Sequence, residues 1–133
     1  MEDYIINEMR ILMFDINLSR VYSIYRNNNK IYDSGINAQN HEIEKLQDLY
    51  NYNNFIFNEG IKINGTKYVA VDQIIANNIY IHGKHKDDGI IIIYNRYYTF
   101  ILHYTDEILP MYHENKIEKI RKNTQLINNL LCQ

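Results

Sequence analysis

The sequence of 133 residues lacks tryptophan and is poor in proline, cysteine and glycine, with one Pro, one Cys and five Gly. The single cysteine, Cys132, has no partner for an internal disulfide, so a reducing, cytoplasmic setting is expected. The scarcity of proline and glycine argues against a flexible linker between domains. We therefore expect one domain over residues 1–133, long enough to bury a core without disulfides or metals.

The sequence also lacks a large excess of charge of either sign, and it lacks long apolar runs. The net charge is -2 and the isoelectric point is about 6.2, which argues against a nucleic-acid-binding protein. No run of 18 apolar residues is present, so no membrane span is expected. The first ten residues carry acidic side chains where a secretory signal peptide would carry basic ones.

Isoleucine and asparagine are abundant instead, with 24 Ile and 19 Asn, beside 13 Tyr. Near the N-terminus the apolar residues Ile5, Ile6, Met9, Leu12 and Met13 recur at helical spacing, which predicts an amphipathic helix. After it, residues 21–25 and 30–33 are rich in β-branched and aromatic residues on either side of an Asn run, which predicts a hairpin. Asn40 is expected to cap a second helix over about residues 41–50.

The central part of the chain predicts an antiparallel meander. Its expected strands are residues 61–63, 67–75, 80–85, 90–94 and 99–104. The expected turns are Asn64-Gly65, Asn77-Asn78, residues 86–89 and Asn95-Arg96. The continuous apolar run at 90–94 is typical of a strand buried on both faces.

The last segment predicts an amphipathic helix that follows Pro110, with Ile117, Ile120 and Ile127 on its apolar face. The element order is therefore helix, two strands, helix, five strands, helix. A meander of this length needs cover on both faces, which predicts an α+β domain with helices on both sides of an antiparallel sheet.

Four stretches of the sequence together resemble the profilin family. Residues 60–68 (GIKINGTKY) are similar to its GLxLxGTKY stretch, and residues 82–86 (HGKHK) to its RGKKG. Residues 89–92 (GIII) are similar to its GGITI, and Tyr104, Asp106, Pro110 and residues 117–120 follow its YDE, TPG and VERL. The resemblance implies a divergent profilin. The implied fold is a central antiparallel β-sheet of six to seven strands, with the N- and C-terminal helices on one face and a shorter helix on the other.

The resemblance implies an actin-binding face on the later strands and the start of the C-terminal helix. Carried over by position, it contains Lys84, Lys86, Arg96, His113, Lys116 and Glu118. Basic residues would steer acidic actin, whereas Glu114 would repel it, so weak binding is expected. The alternative is that these Lys and Arg residues are ordinary solvated turn charges.

The family also binds polyproline through aromatic side chains, and here Tyr4 and Tyr32 stand at positions that carry Trp in the family. Asn7 and Asn123 stand where the family has further aromatics. Polyproline binding is therefore expected to be weak or absent. The alternative for both tyrosines is packing between the helices and the sheet.

A basic strip in the C-terminal helix, Lys119, Arg121 and Lys122, suggests phosphoinositide binding, which the family resemblance also implies. The alternative is a solvated helix face in which Glu118 pairs with Arg121 or Lys122.

Catalytic and metal sites are not expected. His82 and His85 are three apart in a strand and point to opposite faces, and Cys132 has no placed base. No phosphate-binding glycine motif is present. We therefore predict no enzyme activity, cofactor or metal.

The predicted function is that of a monomeric, cytoplasmic, cytoskeleton-associated protein that binds actin monomers and regulates filament assembly. The alternative is a profilin-fold adaptor that has lost actin binding and interacts with another protein or with phosphoinositides.

Overall fold

A computed structural model describes residues 2–16, 19–52, 60–75, 79–105, 115, 117–121 and 124–131 of the chain. The helices are α1 (Glu2–Ile16), α2 (Asn40–Tyr52) and α3 (Thr124–Leu131), and residues 117–121 are also helical. The strands are β1 (Val21–Arg26), β2 (Asn29–Asp33), β3 (Ile61–Ile63), β4 (Thr66–Ile75), β5 (Ile79–His85), β6 (Asp88–Tyr94) and β7 (Tyr98–Thr105). The element order predicted from the sequence is confirmed.

The seven described strands form one antiparallel sheet in the order β2-β1-β7-β6-β5-β4-β3. From β3 to β7 each strand pairs with its neighbour along the chain, as a meander does. The hairpin β1–β2 is added through β1, which pairs with β7 from Val21↔His103 to Arg26↔Tyr98. Strands β2 and β3 are therefore the two edges of the sheet.

Apolar side chains from both faces of the sheet form two cores. One core contains Ile5, Met9 and Met13 of α1 with Ile120 and Ile127, so the N- and C-terminal helices lie on the same face. The other core contains residues of α2 on the opposite face. The arrangement expected for profilins is confirmed. Strand β6 contributes alternately to both cores, which explains why its sequence is a continuous apolar run.

Asparagine and glycine residues mark the positions of turns between strands. Asn64 and Gly65 have φ of 50° and 80°, as a two-residue hairpin turn of this type requires. The turn predicted over residues 86–89 is shorter, because Asp88 and Gly89 already belong to β6 and only Lys86 and Asp87 connect the strands. The turn predicted at Asn77-Asn78 lies outside the described residues.

The N-terminus of α2 differs from the prediction by one residue. The carbonyl of Gln39 accepts a bond from the N–H of Ile43, so Gln39 and not Asn40 is the cap position. The Gln39 side chain is not the cap acceptor. Instead, the Glu42 carboxylate reaches back and accepts a 2.8 Å bond from the Gln39 N–H. The prediction that Asn40 caps this helix is therefore wrong.

Candidate functional site

Lys84 lies above an aromatic ring at the end of the sheet where β5 turns into β6. Its Nζ is 5.2 Å from the centre of the Tyr104 ring on β7. The Tyr104 hydroxyl lies 2.5 Å from Nε2 of His82 on β5. Gly89 on β6 lies under the ring, since a Cβ there would approach two ring atoms to 2.0 and 2.2 Å and the hydroxyl oxygen to 2.3 Å. We refer to His82, Lys84, Gly89 and Tyr104 as the Tyr104 cluster.

Two exposed valines of β4 lie beside the Tyr104 cluster. Val69 pairs with Lys84 across the sheet, and Val71 is the extra residue of a bulge between Ala70 and Asp72. Val69 is 54% and Val71 57% exposed, which is unusual for valine in a strand that borders a core. Neither valine is among the site residues predicted from the sequence. The available signal was the continuous apolar run at positions 68–71 of β4, in which Tyr68 and Ala70 already supply the core side.

An ion-pair chain joins β4 to the helical residues near the C-terminus. Arg121 Nε lies 2.9 Å from an Asp72 carboxylate oxygen, and Arg121 also lies 3.7 Å from the Glu118 carboxylate. Glu118, predicted for actin binding, is therefore near β4. Arg121, predicted for phosphoinositide binding, already contacts two carboxylates. The pairing of Glu118 with Arg121, given as the alternative to a lipid site, is present in the structure.

The remaining basic residues predicted for these sites are dispersed. Arg96 lies in the turn between β6 and β7, with its guanidinium carbon 5.8 Å from the centre of the Tyr97 ring. Lys86 is in the turn at the other end of β6, roughly 20 Å away at about 3.3 Å per residue of strand. The structure therefore does not bring Arg96 together with Lys84 and Lys86. Lys119 is exposed on the helical segment 117–121. His113, Lys116 and Lys122 lie outside the described residues.

The two tyrosines predicted for polyproline binding have different surroundings. Tyr32 packs its ring 5.0 Å from that of Tyr22 and against the core under α1. Tyr4, near the start of α1, is 48% exposed. Among the described rings, no contact links Tyr4 to Tyr32. The packing alternative therefore describes Tyr32 better than it describes Tyr4.

The two strand histidines face opposite sides of the sheet, as their spacing predicts. His82 contacts Tyr104, whereas His85 lies edge-on to Tyr68, which belongs to the other core. Within the described ranges, no three His, Cys, Asp or Glu residues are placed to hold a metal ion. In that same part of the chain, every helix is too short or too polar to cross a bilayer.

Comparison with known proteins identifies similar sequences and folds. A sequence profile described as Profilin matches residues 17–129. No curated protein sequence matches the chain. Acanthamoeba castellanii profilin IA is similar in structure, with a TM-score of 0.62 and 20% identity over 87% of this chain and 90% of that one. Schizosaccharomyces pombe profilin has a TM-score of 0.61 and 21% identity over 80% and 85% of the two chains. At 20% and 21% identity, the structural similarity shows a shared fold alone.

Proposed function

The chain belongs to the profilin family, and from that premise we propose that it binds actin monomers and thereby regulates the assembly of actin filaments. The observation that carries this proposal is the surface formed by Val69, Val71 and Lys84, whose amino group lies over the buried ring of Tyr104. It lies on the later strands of the sheet, next to the helical residues 117–121, where the family resemblance puts the actin-binding face.

The composition of this surface suits a protein interface. Specific interfaces combine an apolar centre with a charged or polar rim, and aromatic and arginine residues are common among their anchors. Val69 and Val71 provide exposed apolar area beside Lys84, the cross-strand partner of Val69. Lys86 is exposed at the adjacent turn and would form part of the rim.

The charged residues of this surface would orient the partner more than they would strengthen the complex. Lys84 and Lys86 would attract acidic actin, whereas Glu118 and Asp72 at the other side of the surface are acidic. Arg121 contacts both of these carboxylates, which reduces their repulsion of an acidic partner. We therefore expect a weak complex, held mainly by the apolar centre.

Titration of fluorescently labelled actin monomers, followed by anisotropy, tests the proposal. The double variant Val69→Asp, Val71→Asp should weaken binding roughly tenfold or more, because it places charge in the apolar centre. The variant Lys84→Glu, Lys86→Glu should also weaken it and reduce its salt dependence. The matched control is Arg10→Glu, Arg20→Glu, which makes the same charge change at exposed positions on α1 and just before β1, at the far edge of the sheet from β4.

Absence of any complex at protein concentrations on the order of tens of micromolar would contradict the proposal. So would equal weakening by the control variant, since that result would indicate a nonspecific charge effect. In either case the profilin-fold adaptor that has lost actin binding becomes the better description.

For proline-rich peptides we propose weak or absent binding. One face of the Tyr32 ring is covered by Tyr22, and Tyr4 has no aromatic neighbour among the described rings. Losing aromatic anchors of this kind commonly costs about 2 kcal/mol each, which leaves an interaction in the millimolar range. A low-micromolar dissociation constant for decaproline, measured by tyrosine fluorescence, would contradict this proposal.

The proposal includes a cytoplasmic location with the actin cytoskeleton and no catalytic activity, as is general in the profilin family. Phosphoinositide binding through Lys119, Arg121 and Lys122 stays a prediction. The two ion pairs of Arg121 weigh against it, because a lipid phosphate would have to compete with Asp72 and Glu118.

A further inference from the structure

A groove of about 300 Å³ opens between the second half of α1 and the hairpin β1–β2. Its lining residues are Arg10, Met13, Phe14, Arg20, Tyr22 and Tyr32. The groove lies on the terminal-helix face but away from the Tyr104 cluster, since β1 and β2 are at the far edge of the sheet from β4. It includes Tyr32 but not Tyr4, so it shares only one residue with the pair predicted for polyproline binding.

The apolar part of the groove is open to solvent. Phe14 is 69% exposed, the largest exposure of any described large apolar side chain, and Ile11 on the preceding turn of α1 is 53% exposed. Burial of a phenylalanine side chain is worth roughly 1.5–3 kcal/mol, so exposure at this level is unfavourable without a partner. An exposed aromatic residue beside a groove is typical of a binding surface.

Two arginines border the apolar part. The guanidinium carbon of Arg20 lies 5.8 Å from the centre of the Phe14 ring, and Arg10 donates a 2.6 Å bond to the Asn7 side chain. Among the described residues, no carboxylate pairs with either guanidinium. Each arginine therefore retains N–H donors that can bind a carboxylate of a ligand.

Arg10 lines the groove together with Tyr22 and Tyr32. Burial and the neighbouring Tyr32 hydroxyl raise the pKa of Tyr22 to about 12, and the positive charge of Arg10 opposes that rise. Positive charge therefore lines the groove at Arg10 as well as at Arg20.

We propose that this groove binds an acidic peptide segment of a partner protein, with one large apolar side chain of the segment against Phe14 and flanking carboxylates on Arg10 and Arg20. A volume of about 300 Å³ is at the lower limit for ligand pockets, which suits one side chain better than an extended cofactor. The groove also adjoins the edge strand β2, where an extended segment could lie along the sheet.

The test uses fluorescein-labelled pentapeptides and fluorescence anisotropy at low and moderate salt. The peptide DEFDE should bind, whereas DEADE and KKFKK should bind at least roughly tenfold more weakly, since each lacks one of the two required features. Binding of DEFDE should decrease as salt is added. Unlabelled decaproline should not compete for the site.

Variants locate the binding to the groove. Arg10→Glu, Arg20→Glu should reduce the affinity for DEFDE at least roughly tenfold, and Phe14→Ala about fivefold. The control Lys45→Glu, Lys62→Glu makes the same charge change elsewhere and should change affinity less than about twofold. All substituted residues are exposed, so circular dichroism should confirm that each variant folds.

Equal binding of DEFDE by the wild type and by Arg10→Glu, Arg20→Glu would overturn the proposal, as would no binding of DEFDE at millimolar protein. Sedimentation with phosphatidylserine vesicles tests whether the groove binds an anionic lipid surface instead of an acidic peptide. If the vesicles bind in an Arg10- and Arg20-dependent manner and DEFDE does not, the peptide proposal is wrong. None of these outcomes depends on actin binding.

Discussion

The carboxylate of Glu42, in the first turn of α2, accepts a 2.7 Å hydrogen bond from the backbone N–H of Asn64 in the turn between β3 and β4. The same carboxylate accepts bonds from the N–H groups of Gly65, at 3.0 Å, and of Gln39. Glu42 is only 5% exposed. One buried acidic side chain therefore caps a helix and fastens a hairpin turn to it.

We expect Glu42→Ala to destabilise the protein by about 2–4 kcal/mol, because hydrogen bonds to charged groups are strong and their loss leaves N–H groups without an acceptor. Urea denaturation followed by circular dichroism measures the change. Glu44→Ala is the control on the exposed side of the same helix, where we expect a change within about 0.5 kcal/mol. A similar loss in both variants would show that helix charge, not the bonds to the turn, is responsible.

Gly89 and Gly65 should respond differently to alanine. Gly89→Ala forces a Cβ into the Tyr104 ring and should cost roughly 3 kcal/mol or more. Gly65→Ala meets no atom within 4 Å, but φ of 80° should cost about 1–2 kcal/mol. In a double-mutant cycle, Gly89→Ala should cost much less in a Tyr104→Ala background. Additive losses in that cycle would refute the steric explanation.

Asp33 should make stability depend on acid pH. Burial raises its pKa, but bonds from the N–H groups of Gly35, Ile36 and Asn37, with Lys30 nearby, outweigh burial and lower the pKa overall. A lowered pKa in the folded state stabilises the protein above the unfolded value of about 3.9, and this contribution is lost as pH falls through the folded value.

The free energy of unfolding of Asp33→Asn measures this contribution. At pH 7 we expect the variant to be less stable than wild type by about 1–3 kcal/mol, and the difference should shrink as the pH is lowered towards 3. A difference that stays constant between pH 7 and pH 3 contradicts the assignment to the Asp33 carboxylate.

Tyr80→Phe should be neutral or slightly stabilising. The Tyr80 hydroxyl is buried and has no hydrogen-bond partner among the described residues. Burial raises its pKa, and the nearby Asp72 carboxylate adds to that rise. Removing an unpaired buried hydroxyl avoids a desolvation cost of about 1–3 kcal/mol, so thermal denaturation should show an unchanged or higher midpoint. A clear loss of stability would indicate a bonded hydroxyl.

Local patterns in the sequence predicted most elements of the fold. The spacing of Ile5, Met9 and Met13 determines which side of α1 is buried, and Asn64-Gly65 determines a two-residue turn. The apolar run of β6 predicted a strand covered on both sides. Each of these predictions depends on residues a few positions apart, where backbone geometry alone decides which side chains share a face.

The tertiary structure alone decided which distant segments meet. Nothing in the local sequence pairs β1 with β7, Glu42 with the turn at Asn64, or Arg121 with Asp72. For the same reason, the family resemblance put Arg96 and Lys84 in one predicted actin-binding face. In the structure the two residues lie at opposite ends of the strands. Val69 and Phe14 lie off the buried face of β4 and α1, and the packing of the described residues leaves both exposed. Periodicity determines the face of an element, whereas what covers that face depends on how all the elements pack together.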